Sequence, residues 1–292
     1  NMYQDTPMYQ IGWNFENLVF GDQPLGWDEV GTKELIKGVS HEGFVKYKTS
    51  LYTPDNMVIA VCGNIDHNEA VELVEKYFPF ESGKRAYDFE KYKVLKGPRV
   101  HLKHKSTEQV HLACGFEAYS ETHPDHWVLK VLSVILGGNM SSRMFLNVRE
   151  AYGLAYYVRT NTDDYMDTGL ISTTAGVDVN RSYMAVEKIV EQYKKIAAED
   201  VSVAELLKAK NFLKGKMILG LEDSQEVAHL LAKFELLHDE AKTPEEIMSG
   251  IDKVTVSDVR RVAADLFKEE KLRLAVIGPF DDVKKFEEVL RF

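Results

Sequence analysis

The chain has 292 residues, of which 45% are hydrophobic and 28% are charged, values typical of a globular protein. This length is sufficient for two domains. The net charge of −10 at pH 7 argues against nucleic acid and against an anionic membrane as partners, because both select for an excess of lysine and arginine.

The two cysteines, Cys62 and Cys114, each lie in an apolar run that is typical of a strand. There is no C-x-x-C pair, so the sequence predicts neither a disulfide framework nor a cysteine zinc site. No apolar run approaches the ~18 residues that cross a bilayer, and residues 1–20 lack the form of a signal peptide. We therefore expect no membrane partner and a cytoplasmic location.

Hydrophobic periodicity and capping residues predict helices in the first third of the chain, with a single strand among them. The strand is the apolar run at 57–62. The segment 79–97 contains Pro79, Gly83, Gly97 and many charges, which predicts an interdomain linker. The predicted helices cover residues 5–20, 27–37, 41–52 and 67–78.

The rest of the chain mixes predicted strands with longer helices. Thr122 and Pro124 are typical of a helix start, and Ser202 with Glu205 forms a capping box. Helices grouped against a mainly antiparallel sheet predict the α+β class. Strands are predicted at 99–105, 109–116, 155–163, 168–176 and 272–277, and helices at 122–136, 141–150, 182–198, 202–221, 224–239 and from Thr243 onward.

The order of elements at the front of the chain is repeated at its back. Helix, helix, apolar strand, G-x-x-D turn and helix occur twice, with the turns at Gly63–Asp66 and Gly278–Asp281. Such a shared order indicates duplicated units. The back copy has about 125 residues from Pro98 to Asp223, whereas only four precede Asp5, the matching position of the front copy. We expect the front copy to be truncated; the alternative is a short accessory domain.

The most informative stretch is Arg149-Glu-Ala-Tyr-Gly-Leu-Ala-Tyr156, which follows Gly137-Gly138 and Ser142-Arg-Met-Phe145. A glycine-rich corner, a short helix and then a strand would direct Arg149 and Tyr156 to one point. A guanidinium and a phenol are hydrogen-bond donors suited to an oxyanion or a peptide carbonyl. The alternative is a surface arginine and a tyrosine at the edge of the core.

This stretch resembles the arginine–tyrosine signature of the insulinase/pitrilysin family of zinc metallopeptidases, which includes the mitochondrial processing peptidase. Met144 replaces the leucine of the family's lead-in. The resemblance implies two similar α/β domains of mainly antiparallel sheet with helices packed on it, facing each other around a chamber. It also implies that Arg149 and Tyr156 lie in the second, non-zinc domain, bind the scissile carbonyl of a peptide substrate and stabilise the developing charge.

The zinc motif of that family, H-x-x-E-H, does not occur in this chain. His101 and His104 would point to opposite faces of a strand, and His111 would alternate with apolar neighbours. His123 and His126 read as exposed residues at a helix start, and the histidines of the 224–239 helix lack a partner acid at metal spacing. We therefore predict no metal site in these residues, with zinc bound only in the complete enzyme.

The resemblance divides the chain into residues 1–85, the C-terminal half of a zinc-type domain, a linker at 86–95, and a complete second domain at 96–292. The first hypothesis is a portion of a zinc endopeptidase that is inactive alone. The second is a non-catalytic partner subunit of a heteromeric peptidase. In the third, a separate chain supplies the missing N-terminal half. Whether this chain is itself an enzyme stays open, as does a homodimer.

Overall fold

The computed structural model describes residues 5–80, 83–238 and 242–292. The chain folds into two compact units. The first unit comprises residues 1–29, 91–213 and 250–292, and the second comprises residues 30–90 and 214–249. Helices and a mixed sheet of five strands confirm the predicted α+β class.

All five strands belong to the first unit. They are β1 (Val100–His104), β2 (Gln109–Ala118), β3 (Ala155–Asp164), β4 (Gly169–Asp178) and β5 (Arg273–Gly278). Their order in the sheet is β1–β5–β2–β4–β3. β1 runs parallel to β5, and the other neighbouring strands are antiparallel. β3 is therefore an edge strand.

The helices largely follow the predicted positions. The first unit contains α1 (Pro7–Phe20), α5 (His126–Ser133), α6 (Ser182–Ala198), α10 (Val256–Leu266) and α11 (Lys284–Val289). The second unit contains α2 (Lys33–Gly38), α3 (His41–Leu51), α4 (His67–Tyr77) and α8 (Ser224–His238). α7 (Val203–Gly220) and α9 (Pro244–Lys253) have residues in both units. Residue 239, the predicted end of the 224–239 helix, lies outside the described residues.

Helices cover both faces of the sheet. Ala113 of β2 packs against α1, in a buried cluster with Ile11 and Phe15. The next residue, Cys114, accepts a hydrogen bond on its backbone oxygen from Tyr193 of α6, at 2.9 Å. The hydroxyl of Thr173, the β4 partner of Cys114, also contacts the Tyr193 hydroxyl, so α6 lies on the Cys114 face. Successive strand residues face opposite sides of a sheet, so α1 lies on the other face.

A chain of buried hydroxyl groups joins β3 to the centre of the sheet. Tyr193 donates its hydroxyl hydrogen to the oxygen of Cys114, so it must accept from Thr173, whose hydroxyl lies 2.6 Å away. Thr173 then has no hydrogen left for Thr160, and Thr160 donates to it at 2.8 Å. These hydroxyls are buried, and burial raises the pKa of Tyr193 far above its usual range.

The predicted strand at 57–62 is wrong: no strand forms there in the part of the chain that the structure describes. The segment is apolar enough for a strand, but a strand needs a neighbour that accepts its backbone hydrogen bonds. Large apolar side chains of the second unit stay exposed, among them Val61 and Phe44, the latter to 68%. The amphipathic faces of this unit are thus not covered by the described chain.

Two helix starts were also predicted wrongly. α2 begins at Lys33 and not at residue 27, because Gly31 adopts a positive φ of 72° and Thr32 caps the helix by accepting from Leu35 N at 3.1 Å. α5 begins at His126, four residues after the predicted Thr122 cap. The predicted domain boundaries at residues 85 and 96 rest on a repeat in the sequence. The compact units do not test that repeat, so these boundaries stay a prediction.

Glu16 of α1 is a partly buried carboxyl group that accepts a hydrogen bond from Tyr165. Burial raises its pKa to about 7, and the charges of Asp163 and Glu29 act in the same direction. The bond from Tyr165 opposes this shift. Folding therefore disfavours the ionised form of Glu16.

We expect Glu16→Gln to stabilise the protein at pH 8 by about 1–2 kcal/mol, after allowance for solvent screening. The folded pKa of about 7 lies above the ordinary value of 4.5. The wild-type penalty is therefore complete above about pH 7 and fades as the pH falls toward 4.5. Urea unfolding at pH 8 and at pH 5 measures the gain.

The matched control is Glu108→Gln, which removes an exposed carboxylate. Its effect on the free energy of unfolding should stay within about 0.5 kcal/mol at both pH values. An equal gain from Glu16→Gln at pH 5 and pH 8, or none at pH 8, would contradict the assignment.

Candidate functional site

Arg149 lies in a π-helical turn, Phe145–Glu150, just before strand β3. Such turns are rare and frequently occur at functional sites. Its side chain is exposed, and its guanidinium carbon lies 5.0 Å from the centre of the Phe145 ring. The cation therefore rests on an aromatic face and keeps its hydrogen-bond donors accessible.

The chain reverses direction between Arg149 and β3 at Gly153, which has a positive φ of 56°. Gly153 N donates to Arg149 O at 2.9 Å, and Leu154 N donates to Val148 O at 3.0 Å. From outside the turn, Arg181 donates to the oxygens of Tyr152 at 2.7 Å and Gly153 at 3.1 Å. The turn is thus held by backbone bonds on one side and by a guanidinium on the other.

Tyr156 is the extra residue of a β-bulge. Ala155 pairs with Val177 and Tyr157 pairs with the adjacent Gly176, which leaves Tyr156 without a partner in β4. A bulge inserts one residue, so Ala155 and Val158 are both buried while Tyr156 is 58% exposed. Bulges are over-represented next to active sites because they redirect a side chain.

A cavity of about 460 Å³ lies beside Tyr156. It is lined by residues 153–156 together with Asp178, Asn180 and Arg181. Arg149 is not among its lining residues. The structure thus places Arg149 and Tyr156 at the two ends of one short turn, both exposed, and puts the cavity on the tyrosine side.

The predicted lead-in to this motif has mainly a supporting role. Gly137 approaches β3 so closely that a Cβ there would overlap the backbone nitrogen and the hydroxyl of Thr160. Met144 is fully buried. Arg143 donates to both carboxylate oxygens of Glu205 in α7, with Nε–Oε1 2.7 Å and Nη2–Oε2 3.0 Å. These contacts hold the segment that carries Arg149 against the core.

The arginine–tyrosine segment is part of a larger match to known proteins. The family profile described as the Peptidase M16 inactive domain matches residues 38–213, more than half of the chain. The chain belongs to the M16 peptidase family. This confirms the resemblance to insulinase/pitrilysin-type peptidases.

Relatives of the M16 chain carry the name zinc protease. An uncharacterized zinc protease of Mycobacterium leprae is 33% identical over 294 residues, covering 99% of this chain and 66% of that protein. One from Bacillus subtilis is 33% identical over 283 residues, covering 95% of this chain and 67% of that protein. The chain spans about two thirds of the length of these relatives.

Solved structures share the M16 fold. A protease from Helicobacter pylori superposes with a TM-score of 0.84 at 23% identity, covering 95% of this chain and 68% of that chain. A peptidase M16 inactive domain from Pseudomonas fluorescens gives 0.86 at 16% identity, covering 96% and 67%. A chain of complex III from Candida albicans gives 0.89 at 16% identity, covering 100% and 72%.

Two histidines in strands β1 and β2 of this M16 chain have separate partners. His104 Nδ1 lies 3.0 Å from Phe280 O, and His111 Nδ1 lies 3.0 Å from the Tyr157 hydroxyl. His126 is buried at the start of α5, so its prediction as an exposed cap residue is wrong. The apolar periodicity of α5 could have indicated this.

The described residues also do not fit a zinc ion. Across residues 5–80, 83–238 and 242–292, no group of three or more His, Cys, Asp or Glu side chains could hold a metal. None of the helices in these ranges is long and apolar enough to cross a membrane.

The Arg143–Glu205 pair provides a test of how the motif is supported. Burial opposes the carboxylate, but the bonds and charge of Arg143 hold the pKa of Glu205 below its usual value of 4.5. We expect Arg143→Met to lower the free energy of unfolding by about 1–3 kcal/mol at pH 7. The loss should shrink as the pH falls below 4.5 and Glu205 becomes protonated. Urea unfolding at several pH values between about 3.5 and 7 measures this loss of stability.

The control is Arg260→Met, which removes an exposed pair with Asp200 at 3.4 Å. The side chains of that pair are 52% and 60% exposed, against 17% and 24% for Arg143 and Glu205. Exposed pairs contribute about 0–1 kcal/mol. Equal losses from the two variants would show that the motif does not depend on the buried pair.

Proposed function

We propose that this chain is the C-terminal portion of an M16-type zinc endopeptidase, in which Arg149 and Tyr156 bind a peptide substrate and stabilise the transition state. The observation that carries the proposal is the joint exposure of these two side chains, which the Gly153 turn and the bulge at Tyr156 produce. They lie in the segment that resembles the family's arginine–tyrosine signature.

The chemistry of the pair suits a peptide carbonyl. Arg149 forms no ion pair with the residues that the structure describes, and its observed contact is with the face of Phe145. A guanidinium without a carboxylate partner can donate to a carbonyl oxygen whose negative charge grows during hydrolysis. The phenol of Tyr156 is a second donor of that kind.

The proposal places the zinc site outside these 292 residues. The relatives are zinc proteases by name, whereas the described residues offer no cluster for a metal. The N-terminal half of the enzyme, or a partner chain, would hold the zinc ion. The chain by itself would then bind part of a substrate without cleaving it.

Residues 1–85 would be the second half of the zinc-type domain, residues 86–95 the linker, and residues 96–292 the complete second domain. The exposed apolar side chains of the second unit, Phe44 and Val61 among them, support this division, because a covering segment would bury them. In this proposal the missing N-terminal half supplies that cover. A cytoplasmic location and a homodimer stay predictions from the sequence.

A second candidate is a non-catalytic subunit of a heteromeric peptidase. The description of the matching profile as an inactive domain and the similarity to a chain of complex III favour it. In that case the partner chain would supply the zinc site, and Arg149 and Tyr156 would serve the partner's substrate.

We expect Arg149→Ala and Tyr156→Phe, made in the complete zinc-bearing protein, each to lower peptide turnover by roughly ten- to a thousand-fold. Both side chains are exposed, so folding should be unaffected and the loss should come from the transition state. Steady-state hydrolysis of a fluorogenic peptide gives kcat and KM for each variant.

The matched controls are Arg159→Ala, which changes an exposed arginine on β3, and Tyr9→Phe, which changes an exposed tyrosine on α1. Their turnover should stay within about two-fold of the wild type. Wild-type turnover in both Arg149→Ala and Tyr156→Phe would remove the pair from the mechanism.

We also expect the 292-residue chain to hydrolyse no peptide by itself and to restore turnover when the zinc-bearing segment is added. Hydrolysis by the chain alone that a chelator abolishes would contradict a zinc site outside it. A zinc-bearing segment that is fully active without this chain would favour the subunit alternative.

A further inference from the structure

A cavity of the first unit lies at the end of the sheet where β2 ends and β5 begins. Its volume is about 620 Å³. Val19 of α1, Val94, Leu95 and Leu266 form apolar parts of its wall, and Arg99 and Arg273 line it as well. We refer to it as the arginine cavity. It shares no lining residue with the cavity beside Tyr156.

The two guanidinium groups are brought together by strand register. Val100 pairs with Leu274 in the parallel β1–β5 ladder, and Leu274 N donates to Arg99 O at 2.9 Å. Arg99 and Arg273 precede these paired residues and are therefore neighbours on adjoining strands, about 5 Å apart in the backbone. Like charges in such positions repel each other. Burial and the charge of Arg99 together lower the pKa of Arg273.

Among the described residues no carboxylate forms an ion pair with Arg273, and Arg99 has one long ion pair, with Glu269 at 3.5 Å. Arg273 Nη1 donates to the backbone oxygens of Glu270 at 2.8 Å and Leu272 at 3.2 Å. Arg99 Nη2 donates to Leu290 O at 2.5 Å, and Glu269 Oε1 is 3.5 Å from Arg99 Nη1. Arg99 Nε is buried and has no hydrogen-bond partner. The Arg99 side chain as a whole is 33% exposed, so atoms other than Nε face the cavity or solvent.

The acidic side chains of the cavity already have donors of their own. Glu117 accepts from the Tyr92 hydroxyl at 3.1 Å, and Asp265 accepts from the Tyr119 hydroxyl at 2.6 Å. Burial and the charge of Arg99 lower the pKa of Arg273, and the charge of Glu117 acts in the opposite direction. The remaining acid of the lining, Glu270, is exposed, and the next residue in the chain is the exposed cation Lys271. The lining as a whole carries four cations, Lys96, Arg99, Lys271 and Arg273, against three acids, a formal excess of one positive charge.

We propose that the arginine cavity binds a carboxylate attached to an apolar group. Arg99 and Arg273 would hold the carboxylate, for which the planar guanidinium fork is suited. Val94, Leu95 and Leu266 would contact the apolar group. A fatty acid and the C-terminal carboxylate of a peptide with an apolar last residue share this chemistry. The inference is independent of the function proposed for Arg149 and Tyr156.

The test uses the 292-residue chain and four probes in calorimetric titrations. Decanoate and acetyl-Leu-Leu as the free acid carry the carboxylate, whereas decanol and acetyl-Leu-Leu amide do not. We expect at least one acid to bind with a dissociation constant on the order of 0.1–1 mM and the neutral probes to bind at least roughly ten-fold more weakly. The acid that binds more tightly identifies the source of the ligand.

Two variants connect binding to this cavity. Arg273→Gln should weaken the acid by roughly ten-fold or more, because it removes half of the guanidinium pair. Val94→Trp should also weaken binding of the acid, because a larger side chain at the exposed rim would fill part of the cavity. This variant keeps both arginines, so the test stays valid if Arg273→Gln fails to fold. Lys103→Gln, which changes an exposed lysine of β1 outside the cavity lining, is the control and should change affinity by less than about two-fold.

The inference is overturned if neither acid binds at about 10 mM, well above the expected range. It is equally overturned if the amide and the alcohol bind as well as the acids, because the guanidinium pair would then recognise nothing. Wild-type affinity in folded Arg273→Gln and in Val94→Trp would place the bound acid elsewhere and overturn it too.

Discussion

The position of the edge strand β3 depends on three buried hydroxyl groups. Thr160 donates to Thr173, Thr173 to Tyr193, and Tyr193 to the backbone oxygen of Cys114 in the centre of the sheet. A buried hydroxyl that loses its partner costs about 1–3 kcal/mol, so a shift of β3 that breaks this chain of bonds is unfavourable. Since Gly137 contacts Thr160, the same placement also locates the segment that leads to Arg149.

Much of this fold could be predicted from the sequence, because its helices and strands have clear periods. α1 begins at a proline, α6 has apolar residues at helical spacing, and Ser202 caps α7 by accepting from Glu205 N, all of which are local features of the sequence. The apolar run at 57–62 has an equally clear pattern and nonetheless forms no strand. Strand formation depends on a partner, and the pattern of one segment does not reveal whether a partner exists.

Prediction of the candidate site from the sequence has the same limit, because part of the site depends on pairing with distant residues. The glycine turn between Arg149 and Tyr156 could be predicted, since a glycine with positive φ is the usual device for such a reversal. The bulge that exposes Tyr156 could not, because it exists only in the pairing of β3 with β4. Nor could the bonds from Arg181 to the turn or from Arg143 to Glu205, whose partners are distant in sequence.

Because of the bulge at Tyr156, the number of residues in the surrounding segment determines which side chains face outward. Alternation puts Val158 and Thr160 on the buried side of β3, and one unpaired residue restores Ala155 to that side. Deleting a single residue here would exchange inward and outward positions over the whole turn. Most substitutions in the segment would leave that alternation intact. The accessibility of Tyr156 is therefore more sensitive to the number of residues between Arg149 and Val158 than to their chemical nature.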